Sequence, residues 1–419
     1  MIASLGEARF TSPLSYSVDN RIQVPASIKH IPGQKPLSEL MFELAGPRSF
    51  LFFNPAVTRA GIVTCGGLCP GLNNVIRSLY LELFFAYGVR DIIGFRYGYQ
   101  GLDPASGLEP LVLTNKLVDD IHREGGTILG TSRGPVDIKV AVDNLINQKI
   151  NILFTIGGDG TQKGGFELFE EAKKRNYPLA VVGIPKTVDN DVAYVSRTFG
   201  YQTAVEESCR VINAAHVEAR SVQNGISLVK LMGRNAGFIA IGAVIASQDV
   251  NFVLIPEAPL ILTGEGGFLQ VLKTRIIDRK HAVIVVAEGA GQDLLAAGET
   301  RFDASGNPVL KDIGKFLREE IEKFFKSENI PVTLRYFDPN YSIRSCPADA
   351  EDSILCDLYA RNAVHAAMAG KTGLVIGYLH DLFIHVPINL LAEKSKQVDL
   401  TGWAWRAALA ATGQPPVFG

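Results

Sequence analysis

Short apolar runs that end in polar or glycine-rich turns recur along the chain from residue 59 onward. Five of these pairs are AGIVTC with GGLCPG, NILFTI with GGDG, LAVVGI with PKTVDND, ISLVKLM with GRN, and HAVIVVA with EGAGQ. Stretches with apolar residues at helical spacing follow several of the turns, for example LNNVIRSLYLELFFAYG. The alternation predicts an α/β fold with mainly parallel sheets and helices on both faces, in which ligands bind at the carboxyl ends of strands.

The two ends of the chain follow a different pattern. Residues 1–57 show weak periodicity and several prolines, and we expect an irregular extension that wraps a core. Near the other end, DSILCDLYARNAVHAAMAG predicts a helix that ends at Gly370, followed by two strands around a tight turn. The last stretch, TGWAWRAALAATGQPPVFG, predicts a helix and tail anchored on the core by Trp403 and Trp405.

Composition narrows the class of protein. The 419 residues are 47% apolar and 20% charged with a net charge of -2, which is ordinary for a globular enzyme and gives no field that would attract nucleic acid or an acidic membrane surface. The five cysteines lack the spacing of a zinc site, and an odd number favours reduced thiols. The first residues do not resemble a signal peptide, and no apolar stretch is long enough to span a bilayer. We therefore expect a cytoplasmic protein with no nucleic-acid or membrane partner.

The segment GGDG, residues 157–160, predicts a phosphate site. Gly157, Gly158 and Gly160 let the backbone approach phosphate oxygens, and the following helix presents N–H groups and a partial positive charge. Asp159 lies in the same turn, where it would hold a Mg²⁺ ion that bridges phosphates. The alternative is a tight strand-to-helix turn with a solvated aspartate. The segment matches neither a Walker loop nor a dinucleotide fingerprint.

PKTVDND, residues 185–191, places two carboxylates close together. If the backbone is extended, Asp189 and Asp191 point the same way. At a separation of about 4 Å they would repel by roughly 4 kcal/mol at an effective dielectric constant of 20, and Mg²⁺ or the ammonium of Lys186 would offset this. The alternative is an Asx-type turn with exposed acids.

Two further motifs supply cations and backbone donors. Arg234 of KLMGRNAG follows a glycine at a strand end, where its guanidinium could neutralise a transferring phosphoryl group; the alternative is a surface arginine at a helix start. Arg133 lies in the small-residue loop GTSRG, and GGLCPG forms another backbone nest for phosphate. No Ser-His-Asp or Cys-His arrangement suggests acyl transfer.

Seven segments occur in the order found in 6-phosphofructokinases: CGGLCPGLN, GFRYGYQGL, GTSRG, GGDGT, PKTVDND, KLMGR and PEAP. From Gly61 to Ile388 the chain resembles this family, and within it the plant and trypanosomal ATP-dependent enzymes related to the pyrophosphate-dependent ones. The resemblance implies two Rossmann-like lobes. The extension would cover 1–57, the ATP lobe 58–200 and 343–395, and the sugar-phosphate lobe 201–342 and 396–419.

The resemblance also implies a role for each motif residue. Asp159 would be the Mg²⁺ residue, Asp189 the base for the C1 hydroxyl, and Arg234 the residue that stabilises the transition state, with Lys186 and Asp191 as further catalytic residues. The implied nucleotide-binding residues are Gly66, Gly67, Arg133, Gly158, Gly160 and Thr161. The implied sugar-phosphate residues are Thr187, Met232, Gly233, Glu257, Arg335, Tyr341 and Arg344. Since an aspartate has a reference pKa near 3.9, Asp189 would be ionised at neutral pH unless that pKa is strongly shifted.

At two positions this chain departs from the bacterial enzymes of the family. The bacterial enzymes have histidine where this chain has Tyr341, and they have a second arginine where this chain has Gly225. Arg335 matches a position that in the family reaches a neighbouring subunit, which implies a homo-oligomer, a dimer or a tetramer.

The phosphoryl donor depends on two positions. In this family glycine at position 160 leaves room for a nucleotide, whereas a second aspartate there favours pyrophosphate. Lys186 is the residue expected in pyrophosphate enzymes, but a flexible cation can serve either donor, so Gly160 favours ATP. The alternatives are a pyrophosphate-dependent fructose 6-phosphate 1-phosphotransferase and a catalytically silent regulatory subunit. NAD kinase and diacylglycerol kinase also carry GGDG but lack the pairing of PKTVDND with KLMGR.

Overall fold

The chain folds into two compact units. The computed structural model describes residues 2–27, 40–295, 302, 308–393 and 395–419. The first unit comprises Met1–Thr187, Val192–Gly200 and Ser345–Ser395, and the second comprises Val188–Asp191, Tyr201–Arg344 and Lys396–Gly419. PKTVDND is therefore divided, because Lys186 belongs to the first unit and Asp189 to the second. The bounds expected from the sequence did not include this crossing.

Strands and helices alternate through most of both units. Within the described residues the strands are β1 Ala3–Ser4, β2 Phe10–Thr11, β3 Gln23–Pro25, β4 Met41–Leu44, β5 Phe50–Leu51, β6 Arg59–Thr64, β7 Asp91–Phe95, β8 Leu111–Val112, β9 Ile152–Gly157, β10 Ala180–Pro185, β11 Gly225–Leu231, β12 Phe252–Leu254, β13 His281–Ala287, β14 Thr333–Phe337, β15 Lys371–Thr372, β16 Leu374–Leu379 and β17 Leu382–Pro387. The helices are α1 Leu72–Leu81, continued by a π-helical turn Glu82–Tyr87, α2 Asn115–Val118, α3 Ile138–Asn147, α4 Asp159–Lys174, α5 Tyr201–Arg220, α6 Phe238–Ser247, α7 Phe268–Arg279, α8 Ile313–Ser327, α9 Asn340–Ser345, α10 Ala350–Met368 and α11 Trp403–Thr412. Short 3₁₀ segments lie at Pro55–Val57, Gly98–Leu102, Pro104–Ser106, Ile121–Arg123, Gln292–Leu295 and Ile388–Glu393.

The first unit is built on one large mixed sheet. Where the structure describes it, the strand order is β3-β4-β17-β16-β10-β9-β6-β7-β8. The five strands from β16 to β7 are parallel, and the outer strands on both sides are antiparallel. Every residue of β9 and β10 is buried. This explains their continuous apolar sequences, since helices cover both faces of such strands.

The N-terminal segment is largely irregular, as expected, but short strands attach it to the first unit. β1 pairs with β15, and β3 and β4 extend the large sheet through β17. Glu43 in β4 binds Arg48 at 2.8 Å and Lys371 at 3.2 Å, beside buried His385. Burial alone would raise the pKa of Glu43, but His385, Arg48 and Lys371 hold it well below its ordinary value.

The second unit is built on the parallel sheet β12-β13-β11-β14. One apolar cluster joins its strands to α5, α6 and α11, and another joins them to α7 and α8. Trp405 is buried in the first cluster. Trp403 is 78% exposed, so the expectation that both tryptophans are packing anchors is wrong for Trp403, which lies two residues away on the outer side of α11. None of the described helices combines the length and apolar character needed to cross a membrane.

Candidate active site

Three turns of the first unit lie side by side because the strands that precede them are adjacent and parallel. β10, β9 and β6 are neighbours, so their carboxyl ends meet at one edge of the sheet. The Cys65 N–H donates to the Ile156 carbonyl at 2.9 Å, and the Lys186 N–H donates to the Gly157 carbonyl at 3.1 Å. The sheet order thus brings GGLCPG, GGDG and the start of PKTVDND together.

The ammonium of Lys186 is held within this group of turns. Lys186 is buried, and its Nζ donates to the Gly67 carbonyl at 2.6 Å. Gly66 has φ +84°, and a Cβ there would lie 3.2 Å from the same Nζ. The loop GTSRG joins the group through a 2.6 Å hydrogen bond from the Thr131 hydroxyl to the Gly66 carbonyl, and Arg133 follows with an exposed side chain. A positive charge therefore lies at a bend of closely approaching backbone, which suits an anion.

GGDG spans the predicted junction of a strand and a helix, with Gly157 ending β9 and Asp159 beginning α4. Gly158 caps the helix, and its carbonyl accepts from the N–H groups of Thr161 at 2.9 Å and Gln162 at 3.0 Å. Asp159 is the first helical residue and its side chain is exposed. The helix N-terminus leaves N–H groups for a phosphate, while Asp159 presents a carboxylate beside them.

The three glycines of GGDG differ in whether packing requires a residue without a side chain. A Cβ on Gly157 would come within 2.2 Å of Thr161, so that glycine is required by internal packing. A Cβ on Gly158 would make only an ordinary contact, 3.5 Å from the Lys186 carbonyl. Around a Cβ on Gly160 nothing lies within 4 Å. Glycine at position 160 is therefore not needed for packing of the turn.

Sequence reasoning missed two residues that support the turn. The buried Gln162 amide donates to the Gly157 carbonyl at 2.9 Å and to the Ile184 carbonyl at 3.2 Å, so it links β9 to β10. The Tyr99 hydroxyl donates to the Thr161 carbonyl at 2.6 Å. The residue type of neither one indicates this role, because the Ile184 and Thr161 carbonyls that they bind are 22 and 62 residues away along the chain.

The residues fit a Mg²⁺ ion that is bound mainly by its substrate. No cluster of three or more His, Cys, Asp or Glu side chains suited to a metal occurs in the described part of the chain. Mg²⁺ usually keeps several waters and binds one or two carboxylates together with substrate phosphates. An exposed carboxylate such as that of Asp159, next to a phosphate-binding helix end, supplies this kind of site.

In the second unit, Asp189 lies against the turn that carries Arg234. Its Oδ2 accepts from the Arg234 backbone N–H at 3.1 Å. Burial, together with repulsion from Asp191 and Glu288, raises the pKa of Asp189 to about 7, while Arg234 opposes the shift. The ordinary pKa assumed from the sequence therefore does not apply, and Asp189 is a stronger base than a solvated aspartate.

The backbone of the DND segment forms a turn, so the extended arrangement considered from the sequence is not present. Asn190 adopts the left-handed conformation with φ 57°. A cation that attracts Asp191 in the second unit is Lys396, which sequence reasoning missed. The Lys396 N–H donates to the Asp191 carbonyl at 2.7 Å.

The Arg234 turn is fixed by close backbone packing. Gly233 has φ +127°, and a Cβ there would lie 2.6 Å from the Ala236 carbonyl oxygen. A Cβ on Gly289 would lie 1.9 Å from the Arg234 carbonyl oxygen, and the Gly289 N–H donates to the Gly233 carbonyl at 3.0 Å. These glycines let the turns after β11 and β13 touch. The Arg234 guanidinium donates to the Pro308 carbonyl.

Two glutamates follow neighbouring strands of this unit and differ in their contacts. Both oxygens of Glu257 accept from the Gly237 N–H at 3.1 Å, and one also accepts from the Val398 N–H at 2.8 Å. Glu288, directly after β13, was missed by sequence reasoning. Burial raises its pKa, while Lys230, Arg234 and Arg344 oppose that shift. Its carboxylate thus shares the electrostatic surroundings of Asp189.

The remaining predicted sugar-phosphate residues are spread over both units. Met232 is buried beside Gly233 at the end of β11. The Arg344 guanidinium lies 4.4 Å from the ring centre of Tyr341, which is 72% exposed. Arg335, on edge strand β14, is exposed and lies 3.8 Å from Glu218. Thr187 belongs to the first unit, where its carbonyl accepts from the Thr198 hydroxyl at 2.7 Å.

These are the parts of a phosphoryl-transfer protein of the α/β class: phosphate-sized backbone turns, an exposed carboxylate at a helix N-terminus, and an arginine beside a buried aspartate. The family model described as Phosphofructokinase matches residues 59–367. The chain belongs to the phosphofructokinase family.

Relatives of known name match most of the chain. An ATP-dependent 6-phosphofructokinase of Borreliella burgdorferi is 45% identical over 99% of this chain and 96% of that protein. ATP-dependent 6-phosphofructokinase 7 of Arabidopsis thaliana is 47% identical over 90% of this chain and 78% of that protein. The ATP-dependent 6-phosphofructokinase of Trypanosoma brucei brucei is 47% identical over 88% of this chain and 76% of that protein. The resemblance to the plant and trypanosomal group is confirmed.

Solved structures show the same fold at lower identity. A pyrophosphate-dependent phosphofructokinase from Marinobacter aquaeolei has a TM-score of 0.69 at 19% identity, over 87% of this chain and 92% of that one. A phosphofructokinase from Pichia pastoris has a TM-score of 0.63 at 23% identity, over 85% of this chain and 37% of that one. The α/β fold predicted from the alternating pattern is confirmed.

Proposed function

We propose that the chain transfers the γ-phosphoryl group of ATP to the C1 hydroxyl of fructose 6-phosphate and so forms fructose 1,6-bisphosphate in glycolysis. The observation that carries the proposal is the contact of buried Asp189 with the backbone N–H of Arg234, which places a base at the turn that carries a cation suited to a transferring phosphoryl group. The names of relatives at 45% to 47% identity support the same reaction.

In this mechanism Asp189 accepts the proton of the C1 hydroxyl. Its raised pKa, about 7, makes it a better proton acceptor near neutral pH. The Arg234 guanidinium stabilises charge on the phosphoryl group. Asp159 would hold Mg²⁺, which neutralises phosphate charge when bound, and the helix N-terminus behind Asp159 binds phosphate oxygens.

For the sugar, the contacts favour Glu288 over Glu257 as the carboxylate that binds hydroxyl groups. Glu257 already accepts three N–H contacts from Gly237 and Val398. Glu288 is placed near Arg234 and Arg344. Met232, Gly233, Tyr341 and Arg344 remain proposed sugar-phosphate residues. Thr187 and Arg335 also remain proposed sugar-phosphate residues. Arg335 would reach the site of a neighbouring subunit in a homo-oligomer, and sedimentation would test for that oligomer.

Open space at Gly160 supports ATP as the donor. Because a Cβ there meets nothing within 4 Å, Gly160→Asp should fold normally and act only on ligand binding. Asp at this position would fill the space proposed for the nucleotide. Lys186 is the residue expected in pyrophosphate enzymes and so keeps the pyrophosphate alternative open, although its ammonium, held at the Gly67 carbonyl, can bind the phosphates of either donor.

A coupled assay with fructose 6-phosphate and Mg²⁺ tests the proposal. The wild-type chain should turn over ATP and not pyrophosphate, and Gly160→Asp should lower kcat/KM for ATP at least about 100-fold, as expected for a nucleotide in steric and charge conflict with a new carboxylate. Unchanged melting temperature would show that the variant is folded. Turnover with pyrophosphate alone would establish the alternative donor, and no turnover with either would establish a silent subunit. A cytoplasmic location stays a prediction from the sequence.

A further inference from the structure

Three consecutive residues after the last chain crossing contact the Asp191 loop, Asn235 and Glu257 of the second unit. We call Lys396–Val398 the C-terminal strap. The Lys396 N–H donates to the Asp191 carbonyl at 2.7 Å, the Gln397 amide donates to the Asn235 carbonyl at 3.4 Å, and the Val398 N–H donates to Glu257 at 2.8 Å. Glu257 in turn accepts from Gly237, at the start of α6. The strap therefore links the Asp191 loop to the turn that carries Arg234.

The Lys396 side chain is partly buried, and its ammonium interacts with an aromatic ring and a carboxylate. Its Nζ lies 5.1 Å from the ring centre of Phe238, in cation–π geometry. Burial lowers the pKa of Lys396 to about 8, and Asp191 opposes that shift. An exposed lysine beside an acid contributes little, but a partly buried ammonium beside a carboxylate is screened less by water.

The Lys396 ammonium affects the balance of charge around Asp189. Asp191 and Glu288 both repel a charge on Asp189, and Arg234 attracts it. The phosphoryl group in transfer adds further negative charge. Because Lys396 attracts Asp191, it offsets one of the two repelling carboxylates.

We propose that Lys396 is a positioning residue for phosphoryl transfer, which fixes the Asp191 loop and balances the charge of Asp191 beside Asp189. The inference rests on the proposed function, because it assumes that Asp189 is the base. Lys396 acts through Asp191 and needs no contact with substrate. A loop held at both its backbone and its charge keeps the base in productive geometry, which is where small displacements are costly.

The test compares Lys396→Met, which removes the charge at similar length, with Lys396→Arg, which keeps it. Lys323→Met is the matched control, because Lys323 is a lysine of the same unit with a 78% exposed side chain. Full-length proteins are assayed with ATP and fructose 6-phosphate across pH. We expect Lys396→Met to lower kcat about tenfold, less than the roughly 10²- to 10⁴-fold loss of a base, with KM for both substrates nearly unchanged. The acid limb of its kcat profile should move to higher pH, since Asp189 then faces an unbalanced Asp191.

Lys396→Arg should retain most of the wild-type kcat. The wild-type kcat should fall near pH 8, where Lys396 loses its proton. This fall should be absent from Lys396→Arg, since arginine stays charged there. The pH profile of kcat in Lys396→Arg tests the proposal even if Lys396→Met does not fold. An unchanged kcat profile in Lys396→Met, an alkaline limb that stays in Lys396→Arg, or a rise only in KM for fructose 6-phosphate would overturn the proposal. An inactive wild-type chain would instead count against the proposed function itself.

Discussion

The raised pKa of Asp189 predicts that the native state is more stable when this carboxyl is neutral. The native pKa, about 7, lies above the ordinary value of 3.8 that applies to the unfolded chain. Between these two values the native state binds more protons, so its stability falls as the pH rises from about 4 to about 7. Asp189→Asn has no titrating group here, and its amide oxygen can still accept from the Arg234 N–H. The variant should therefore be more stable than the wild type at pH 8.

The size of the effect follows from the shift. A difference of about three pKa units at about 1.36 kcal/mol each gives a ceiling of about 4 kcal/mol in the free energy of unfolding. Structural relaxation and water access reduce such values, so we expect about 2 kcal/mol at pH 8. For a unit of this size that corresponds to a rise in Tm of roughly 4–8 °C.

Thermal unfolding of both proteins at half-unit intervals from pH 4.5 to pH 8.5 measures this directly. The two Tm curves should nearly meet at the acid end and separate as the pH rises, with Asp189→Asn higher. Asp278→Asn, which removes an exposed carboxylate of α7 in the same unit, should run parallel to the wild type. The same Asp189→Asn protein should lose roughly 10²- to 10⁴-fold in kcat while it still binds substrate. Parallel curves for Asp189→Asn and wild type would refute a raised pKa, and a normal kcat would remove Asp189 from its role as base.

Four other substitutions test separate parts of the site. Arg234→Ala should lower kcat by on the order of 10³ with KM little changed, and an unaffected kcat in the coupled assay would make Arg234 an ordinary surface residue. Asp159→Asn should raise the Mg²⁺ concentration needed for half-maximal activity, and an identical Mg²⁺ titration would contradict its metal role. Glu288→Gln should raise KM for fructose 6-phosphate about tenfold with little change in Tm, whereas Glu257→Gln should lower the free energy of unfolding by about 1–3 kcal/mol because backbone N–H groups lose a charged acceptor. The reverse pattern would return the sugar role to Glu257.

The sequence predicted the strand-to-turn units well where the signal is local. A strand and then a helix were expected on either side of GGDG, and both are present, although β9 extends to Gly157 and α4 begins at Asp159, two residues before the expected start at Thr161. The helix that ends before Gly370 and the two strands after it are also confirmed. Trp403 was misplaced because two tryptophans two positions apart on a helix cannot both face the same side.

Contacts between distant segments were not predictable in the same way. Gln162, Glu288 and Lys396 have roles that depend on partners brought close by sheet order and by the return of the chain at Lys396. Their residue types are common in helices and loops, so no local pattern separates them from solvent-exposed neighbours. The turn at Asn190 was similarly left open, since a DND segment is compatible with both an extended strand end and a turn.

By itself the sequence determined the α/β alternation, the glycine turns at strand ends and the chemistry available there, because periodicity and residue type act over a few positions. Only the tertiary structure decided the pKa of Asp189, the different contacts of Glu257 and Glu288, and the attraction between Asp191 and Lys396. Those properties arise from burial and from charges that lie far apart along the chain, and electrostatic interactions depend on distance in space and local dielectric constant.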